Sequence, residues 1–183
     1  MGFVDFIKFL LPTMTLLSGA FLIIVLAVFL LNKLFGARVG FLRQYWGAIK
    51  KHALALAFIV ALTATLGSLF YSEVAGYTPC KLCWFERIFM YSQVVLLGVA
   101  LWKGDRKVFQ YAIPFSIVGG LLAAYQYVEQ VLQTSITMCA VGPDAVPCTT
   151  TYTFHYGYIT IPMMALTAFI LIILLAHLLK KKR

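Results

Sequence analysis

The sequence predicts an all-α, polytopic membrane protein, a bundle of five transmembrane helices. Three observations carry that prediction. Of the 183 residues, 62% are apolar and only 11% charged, with a mean hydropathy of +0.92, whereas soluble domains run at roughly 45–50% apolar and about 25% charged. Five stretches are apolar over about 20 residues each, the length needed to cross a hydrocarbon core of roughly 30 Å. The charges gather between those stretches. This balance excludes a soluble globule, and a disordered segment or coiled coil would need many more charges.

The first span covers about residues 13–31 and carries no charge. It reads as an uncleaved helix rather than a signal peptide: Lys8 ahead of it is offset by Asp5, the apolar run is long, and no small-x-small cleavage site stands before Lys33. The second span covers about 53–71. The third runs from about 84 to 102, with Glu86 and Arg87 in its first turn. The fourth runs from 108 to 128 and the fifth from 156 to 179, with Pro114 and Pro162 in their opening turns, where a missing N–H is tolerated. Isolated spans of this kind satisfy their backbone as helices, since a barrel would show short alternating strands.

Charge then sets the orientation. Twelve of the fifteen lysines and arginines lie after the first span (Lys33, Arg38, Arg43, Lys50, Lys51), after the third (Lys103, Arg106, Lys107) and at the C-terminus (Lys180, Lys181, Lys182, Arg183). Alternation puts all three segments on one side, which the positive-inside rule makes cytoplasmic. The N-terminus and the loops at about 72–83 and 129–155 therefore face outward, and the C-terminus faces inward. The formal charge of +9 is thus accounted for by membrane anchors and implies no nucleic-acid partner.

All four cysteines, Cys80, Cys83, Cys139 and Cys148, fall on the outward side. In a bacterial-type envelope that side is oxidising, and disulfides persist there. Cys80-Lys81-Leu82-Cys83 is a Cys-x-x-Cys whose closed ring is too short to restrain an unfolded chain much, so it reads as a redox element rather than a staple. Pro79 precedes it and the third span follows, so Cys83 lies at a helix N-terminus, where the helix dipole favours thiolate. Arg87, four residues on, shares its face and suits a thiolate or an oxyanion held beside it. Glu86 suits orienting Arg87, forming an ion pair with it, or accepting protons. Cys139 and Cys148 share a loop with Gly142, Pro143 and Pro147. Blander readings stand beside these: Arg87 snorkelling to the interface, or two structural disulfides in a membrane scaffold with no enzymatic activity. The eight-residue gap between Cys139 and Cys148 is unusual for a zinc site, and His52, His155 and His177 share no ligand spacing, so no metal is expected.

The run Pro79-Cys80-Lys81-Leu82-Cys83-Trp84-Phe85-Glu86-Arg87 resembles the Pro-Cys-x-Leu-Cys-x-x-(Glu/Gln)-Arg signature of the DsbB/BdbC family, the quinone-linked disulfide bond formation proteins. The resemblance covers about residues 50–183 and includes the second cysteine pair in the next outward loop and Pro162. It implies a four-helix core over 50–183, with residues 1–49 an additional helix and a basic cytoplasmic linker. In bacterial homologues of vitamin K epoxide reductase the loop pair precedes the Cys-x-x-Cys; here Cys80 and Cys83 come first. Many DsbB-like members carry a histidine near the outer end of the third core helix, where this chain has Gln126 and Gln130 beside Glu129.

The resemblance implies a multi-pass enzyme of the bacterial cytoplasmic (inner) membrane, with its cysteine loops on the periplasmic or extracellular side. It would re-oxidise a thioredoxin-fold dithiol oxidase of the DsbA/BdbD type and pass two electrons to a membrane quinone, ubiquinone or menaquinone. In that scheme a partner thiolate attacks Cys139, Cys148 completes the loop disulfide, Cys80 exchanges with the loop, and Cys83 faces the quinone. Arg87, with Glu86 beside it, would bind the quinone.

Overall fold

The computed structural model describes residues 2–35, 40–134 and 146–180. Cys139, Arg38 and the terminal Lys181, Lys182 and Arg183 lie outside the described residues. The described chain is helical, with helices α1 (Phe3–Phe35), α2 (Gly40–Leu69), α3 (Lys81–Lys103), α4 (Phe109–Leu132) and α5 (Ile161–Lys180). Each contains a segment long and apolar enough to cross a membrane. The protein is a multi-pass membrane protein.

Helices α2 to α5 pack as a four-helix core. Its centre is built from Leu97, Phe169 and Ile172, with Ala53, Ala57 and Ala61 of α2 fully buried against them. Between apolar helices in lipid the hydrophobic effect contributes little to association, so close backbone approach at small residues carries the packing. Ala53, Ala57 and Ala61 recur every four residues and form such a face. Gly119 of α4 serves the same purpose against α5: a Cβ there would collide with the edge of the Phe169 ring, 2.6 Å from Cε1.

The helix ends explain where the boundaries differ from those expected. Helix α3 starts at Lys81 rather than near Trp84, because Cys80 is itself the N-cap and its sulfur accepts from the Cys83 N–H at 3.5 Å. Glu86 and Arg87 consequently sit in the second turn. At its other end Gly104 takes the left-handed conformation (φ 68°) and returns its N–H to Ala100 and Leu101 carbonyls, a conformation that glycine adopts without a Cβ penalty. Asp105 then caps a single 3₁₀ turn through Lys107 N–H, 2.8 Å away.

Helix α5 begins at Ile161, not near 156. Ahead of it, His155–Ile159 form a tight turn in which His155 and Ile159 exchange backbone hydrogen bonds of 3.0 and 2.9 Å, with Tyr156 and Gly157 both at positive φ. Helix α1 starts earlier than expected and runs through Pro12, which is buried; the Thr13 hydroxyl donates to the Phe9 carbonyl at 2.7 Å beside the proline, where the backbone ladder is broken. Finally, α2 widens into a π-turn over Phe70–Val74, and this irregularity falls next to the cysteines.

Candidate functional site

Capping places both cysteines of the Cys-x-x-Cys at one point. Cys80 lies in the extended residue before α3 and Cys83 in its first turn, with their sulfurs 3.0 Å apart. Both are free thiols. The Cys80 thiol is held above its ordinary range, chiefly by its hydrogen bond with Cys83 and secondly by burial.

Gln126, buried on α4, reaches both sulfurs. Its amide nitrogen donates to Cys80 Sγ at 3.2 Å and to Cys83 Sγ at 3.3 Å, and its amide oxygen lies 3.8 Å from Cys83 Sγ. One side chain thus bridges the pair from a helix more than 40 residues away in sequence. The position expected to lack a histidine holds instead a neutral group that donates to sulfur.

Arg87 does not snorkel. It is buried, turned toward α2, and donates through Nε to the Ser68 hydroxyl at 3.0 Å and through a terminal nitrogen to the Ser68 carbonyl at 3.1 Å. Its guanidinium also lies 5.2 Å from the Trp84 ring centre, within cation–π range. Ser68 lies two residues before the widening of α2 at Phe70, a kind of irregularity that recurs at functional sites. Glu86 is buried as well, and among the described residues its Oε1 has no hydrogen-bond partner, so Ser68 makes the contacts to Arg87 that Glu86 was expected to make.

Two cavities meet at these residues. The larger, about 440 Å³, is lined by Cys83, Glu86, Arg87, Ser68, Tyr71 and Tyr91 among mostly apolar side chains from α1, α2, α3 and α5. Three buried polar atoms without partners among the described residues belong to its lining: Glu86 Oε1 and the hydroxyls of Tyr71 and Tyr91. An apolar chamber with a few unpaired polar atoms and one cation fits a flat apolar ring bearing carbonyl oxygens, since buried polar groups left unpaired are costly.

The smaller cleft, about 20 Å³, lies on the other side of Cys83 and is lined by Cys80, Cys83, Gln126, Gln130, Pro147 and Thr150 among others. Here the second cysteine loop packs down. Cys148 is buried and disulfide-bonded, and it forms one cluster with Cys80 and Leu82, against which Cys83, Leu122 and Tyr125 pack. Among the described residues, Gln130 Nε2 donates to the Thr150 carbonyl at 3.0 Å and the Tyr152 hydroxyl to the Thr78 carbonyl at 3.1 Å, tying this segment to the bundle. Tyr152 also stacks on Tyr77 at 4.7 Å, and Tyr77 on Tyr71 at 5.8 Å.

The structure thus brings Cys80, Cys83, Cys148, Glu86 and Arg87 to one end of the bundle. Ser68 and the sulfur-bridging role of Gln126 were not evident from sequence: both contacts cross between helices, and neither residue type is diagnostic by itself.

Comparison with known proteins agrees with this arrangement. Residues 50–179 match the family model for disulfide bond formation protein DsbB. The chain is 43% identical over 129 residues to disulfide bond formation protein C of Bacillus subtilis (strain 168), covering 69% of this chain and 91% of that protein. It is 38% identical over 130 residues to probable disulfide formation protein C 2 of Bacillus cereus (strain ATCC 10987 / NRS 248), covering 70% and 91%. A probable disulfide formation protein of Coxiella burnetii is 35% identical over 120 residues, covering 66% and 82%. No solved structure gives a significant match.

Proposed function

Because this chain belongs to the DsbB family of disulfide bond formation proteins, we propose that it is a membrane protein-dithiol:quinone oxidoreductase. It re-oxidises an extracytoplasmic thioredoxin-fold dithiol oxidase and delivers the electrons to a membrane quinone. The observation that carries this reading is the position of Cys83. It lines both the large apolar cavity and the small cleft, whereas Cys80 lines only the cleft on the side of Cys148.

The chemistry is two successive thiol–disulfide exchanges. A thiolate of the reduced partner attacks Cys139 of a Cys139–Cys148 disulfide, forming a mixed disulfide and releasing Cys148 as a thiol. The partner's second thiol resolves the adduct, so the partner is oxidised by two electrons and the loop becomes a dithiol. A loop thiolate then attacks Cys80 of the Cys80–Cys83 disulfide, Cys83 leaves as thiolate, and the second loop thiol closes the loop disulfide again. Exchange requires an accessible sulfur and a good leaving thiolate. Cys83, at the first turn of α3, near Arg87 and bonded to Gln126, meets the second requirement.

A quinone bound in the large cavity would accept the electron pair and two protons as the Cys80–Cys83 disulfide re-forms. Arg87 is the group suited to hold a quinone oxygen, because Ser68 fixes its guanidinium and burial strengthens its field. The unpaired Glu86 Oε1 lines the same cavity and is suited to carry a proton to or from it. The apolar walls exclude water from the thiols.

Orientation follows the charge map: the cysteine end faces the periplasm or cell exterior and the basic ends face the cytoplasm, in the inner membrane of a bacterial cell. The test is reduction of ubiquinone-1 and a menaquinone analogue by purified protein supplied with a reduced thioredoxin-fold donor. Turnover with at least one of them, lost in Cys83→Ser, is expected; no turnover with either would overturn the reading.

A further inference from the structure

The first helix lies outside the residues that match the family model, which begin at residue 50. Its placement is nevertheless specific. Leu11, Met14, Thr15, Leu17 and Ser18 all line the large cavity, and the positions 11, 14–15 and 18 form one stripe at helical spacing. Three contacts tie this stretch to the cysteine end of the core. Leu11 packs on Gly67 of α2, where a Cβ would lie 3.2 Å from Leu11 Cδ2. The Thr13 and Tyr156 hydroxyls are 3.2 Å apart, and Lys8 Nζ lies 5.1 Å from the Tyr77 ring centre. Elsewhere the described part of α1 leaves large apolar side chains exposed, Ile23 and Ile24 among them, as suits a helix with lipid on its outer side.

We propose that α1 is the lipid-side wall of the acceptor cavity, with Leu11, Met14, Thr15 and Ser18 touching the bound quinone and setting which quinone is admitted. This rests on the reading of the large cavity as the quinone site. The chemistry suits the class of ligand: the stripe offers two aliphatic surfaces for a ring or the first isoprenoid unit of a tail. Thr15 has its hydroxyl occupied by the Leu11 carbonyl at 3.0 Å, so it presents its methyl group, and Ser18 adds one small polar residue. The opposite wall supplies the cation and the sulfur, through Arg87 and Cys83. The quinone is thereby held between the core's chemistry and a helix added to that core.

The experiment is photolabelling of the full-length protein with an azido-substituted short-chain ubiquinone, followed by peptide mapping, together with the Thr15→Trp and Ser18→Trp variants. The expected result is label within residues 11–18 of the unmodified chain. In both variants the apparent KM for the quinone rises at least ~5-fold, as bulk is forced into a lined cavity, while mixed-disulfide formation at Cys139 with the reduced donor proceeds at the original rate. Label confined to α2, α3 and α5, with KM within about twofold in both variants, would overturn the wall. The unmodified protein carries the labelling arm, so a variant that fails to fold does not decide it. A chain that takes no label and reduces no quinone overturns the underlying quinone reading, and the wall with it; normal reduction without label on α1 overturns the wall alone.

Discussion

Gln126 donates to two sulfurs at once, at 3.2 and 3.3 Å. A neutral amide cannot take up a proton near neutral pH as a histidine can, so its contribution is to stabilise whichever sulfur carries negative charge and to fix the pair in register. A hydrogen bond to a charged group contributes about 1.5–3 kcal/mol. Gln126→Leu should therefore slow re-oxidation of the Cys80–Cys83 pair by about tenfold or more, without slowing mixed-disulfide formation at Cys139. Rapid-quench mixing of the reduced protein with a quinone reads the first rate and mixing of the oxidised protein with the reduced donor reads the second, and equal slowing of both would show that the substitution merely loosens the bundle. Arg87 allows a graded comparison. Because it bonds both the hydroxyl and the main-chain carbonyl of Ser68, Ser68→Ala removes one contact and leaves the other. Ser68→Ala should raise the quinone KM by a few-fold, and Arg87→Met by far more, since the latter also deletes the buried cation. Steady-state titration with quinone checks the order, and the reverse ranking would remove Arg87 from the acceptor site.

Helix packing is tested most directly at the α4–α5 contact. Gly119 and Gly120 are neighbours, yet a Cβ on Gly119 collides with the Phe169 ring while one on Gly120 meets Phe169 Cβ at 3.5 Å, ordinary contact. Gly119→Ala should cost about 1–3 kcal/mol through overpacking, and Gly120→Ala should be close to neutral. Thermal unfolding in detergent distinguishes them, and equal melting temperatures would mean that Phe169 swings aside freely. The number and type of the elements were legible from apolar length and charge placement alone, because a bilayer imposes both. The boundaries were less so. Cys80 acting as N-cap moved the start of α3 three residues back, and sulfur is not among the usual capping groups that sequence reading looks for. The turn at His155–Ile159 delayed α5 through a left-handed Tyr156 and Gly157; the glycine marks a turn, but the tyrosine's conformation has no signal of its own. The site shows the same division. Cys80, Cys83, Cys148, Glu86 and Arg87 were legible because spacing along one helix and one loop is local information. The Ser68 and Gln126 contacts depend on how α2, α3 and α4 are rotated against one another, and apolar periodicity says little of that when every face of a helix meets either lipid or a neighbour.

At the scale of the whole molecule, the two cavities lie at the same end, and Cys83, Tyr152 and Ile161 line both, Cys83 being the redox-capable residue of the three. That arrangement works only if the end faces an oxidising compartment, since a reducing cytosol would keep the loop cysteines as thiols. The proposed orientation rests on charge: twelve of the fifteen lysines and arginines lie in three segments that alternation assigns to the opposite side, and translocating so many would oppose the usual bias. On that proposal an odd number of spans puts the N-terminus outside and the C-terminus with the basic segments. A fluorescent-protein fusion after Arg183 should therefore be bright, and an alkaline phosphatase fusion at the same point inactive, whereas a phosphatase inserted after Gly76, in the short segment between α2 and α3, should be active. The opposite pattern would place the cysteines in the cytosol, where the proposed exchange could not run in the oxidising direction. Replacing Lys180, Lys181, Lys182 and Arg183 with glutamine should leave the pattern unchanged, because eight basic residues remain in the other two segments and the bias depends on the loops together. If that replacement alone inverted the fusions, the C-terminal cluster would be the controlling anchor, and the segments around Lys50 and Lys103 would be passengers in the orientation.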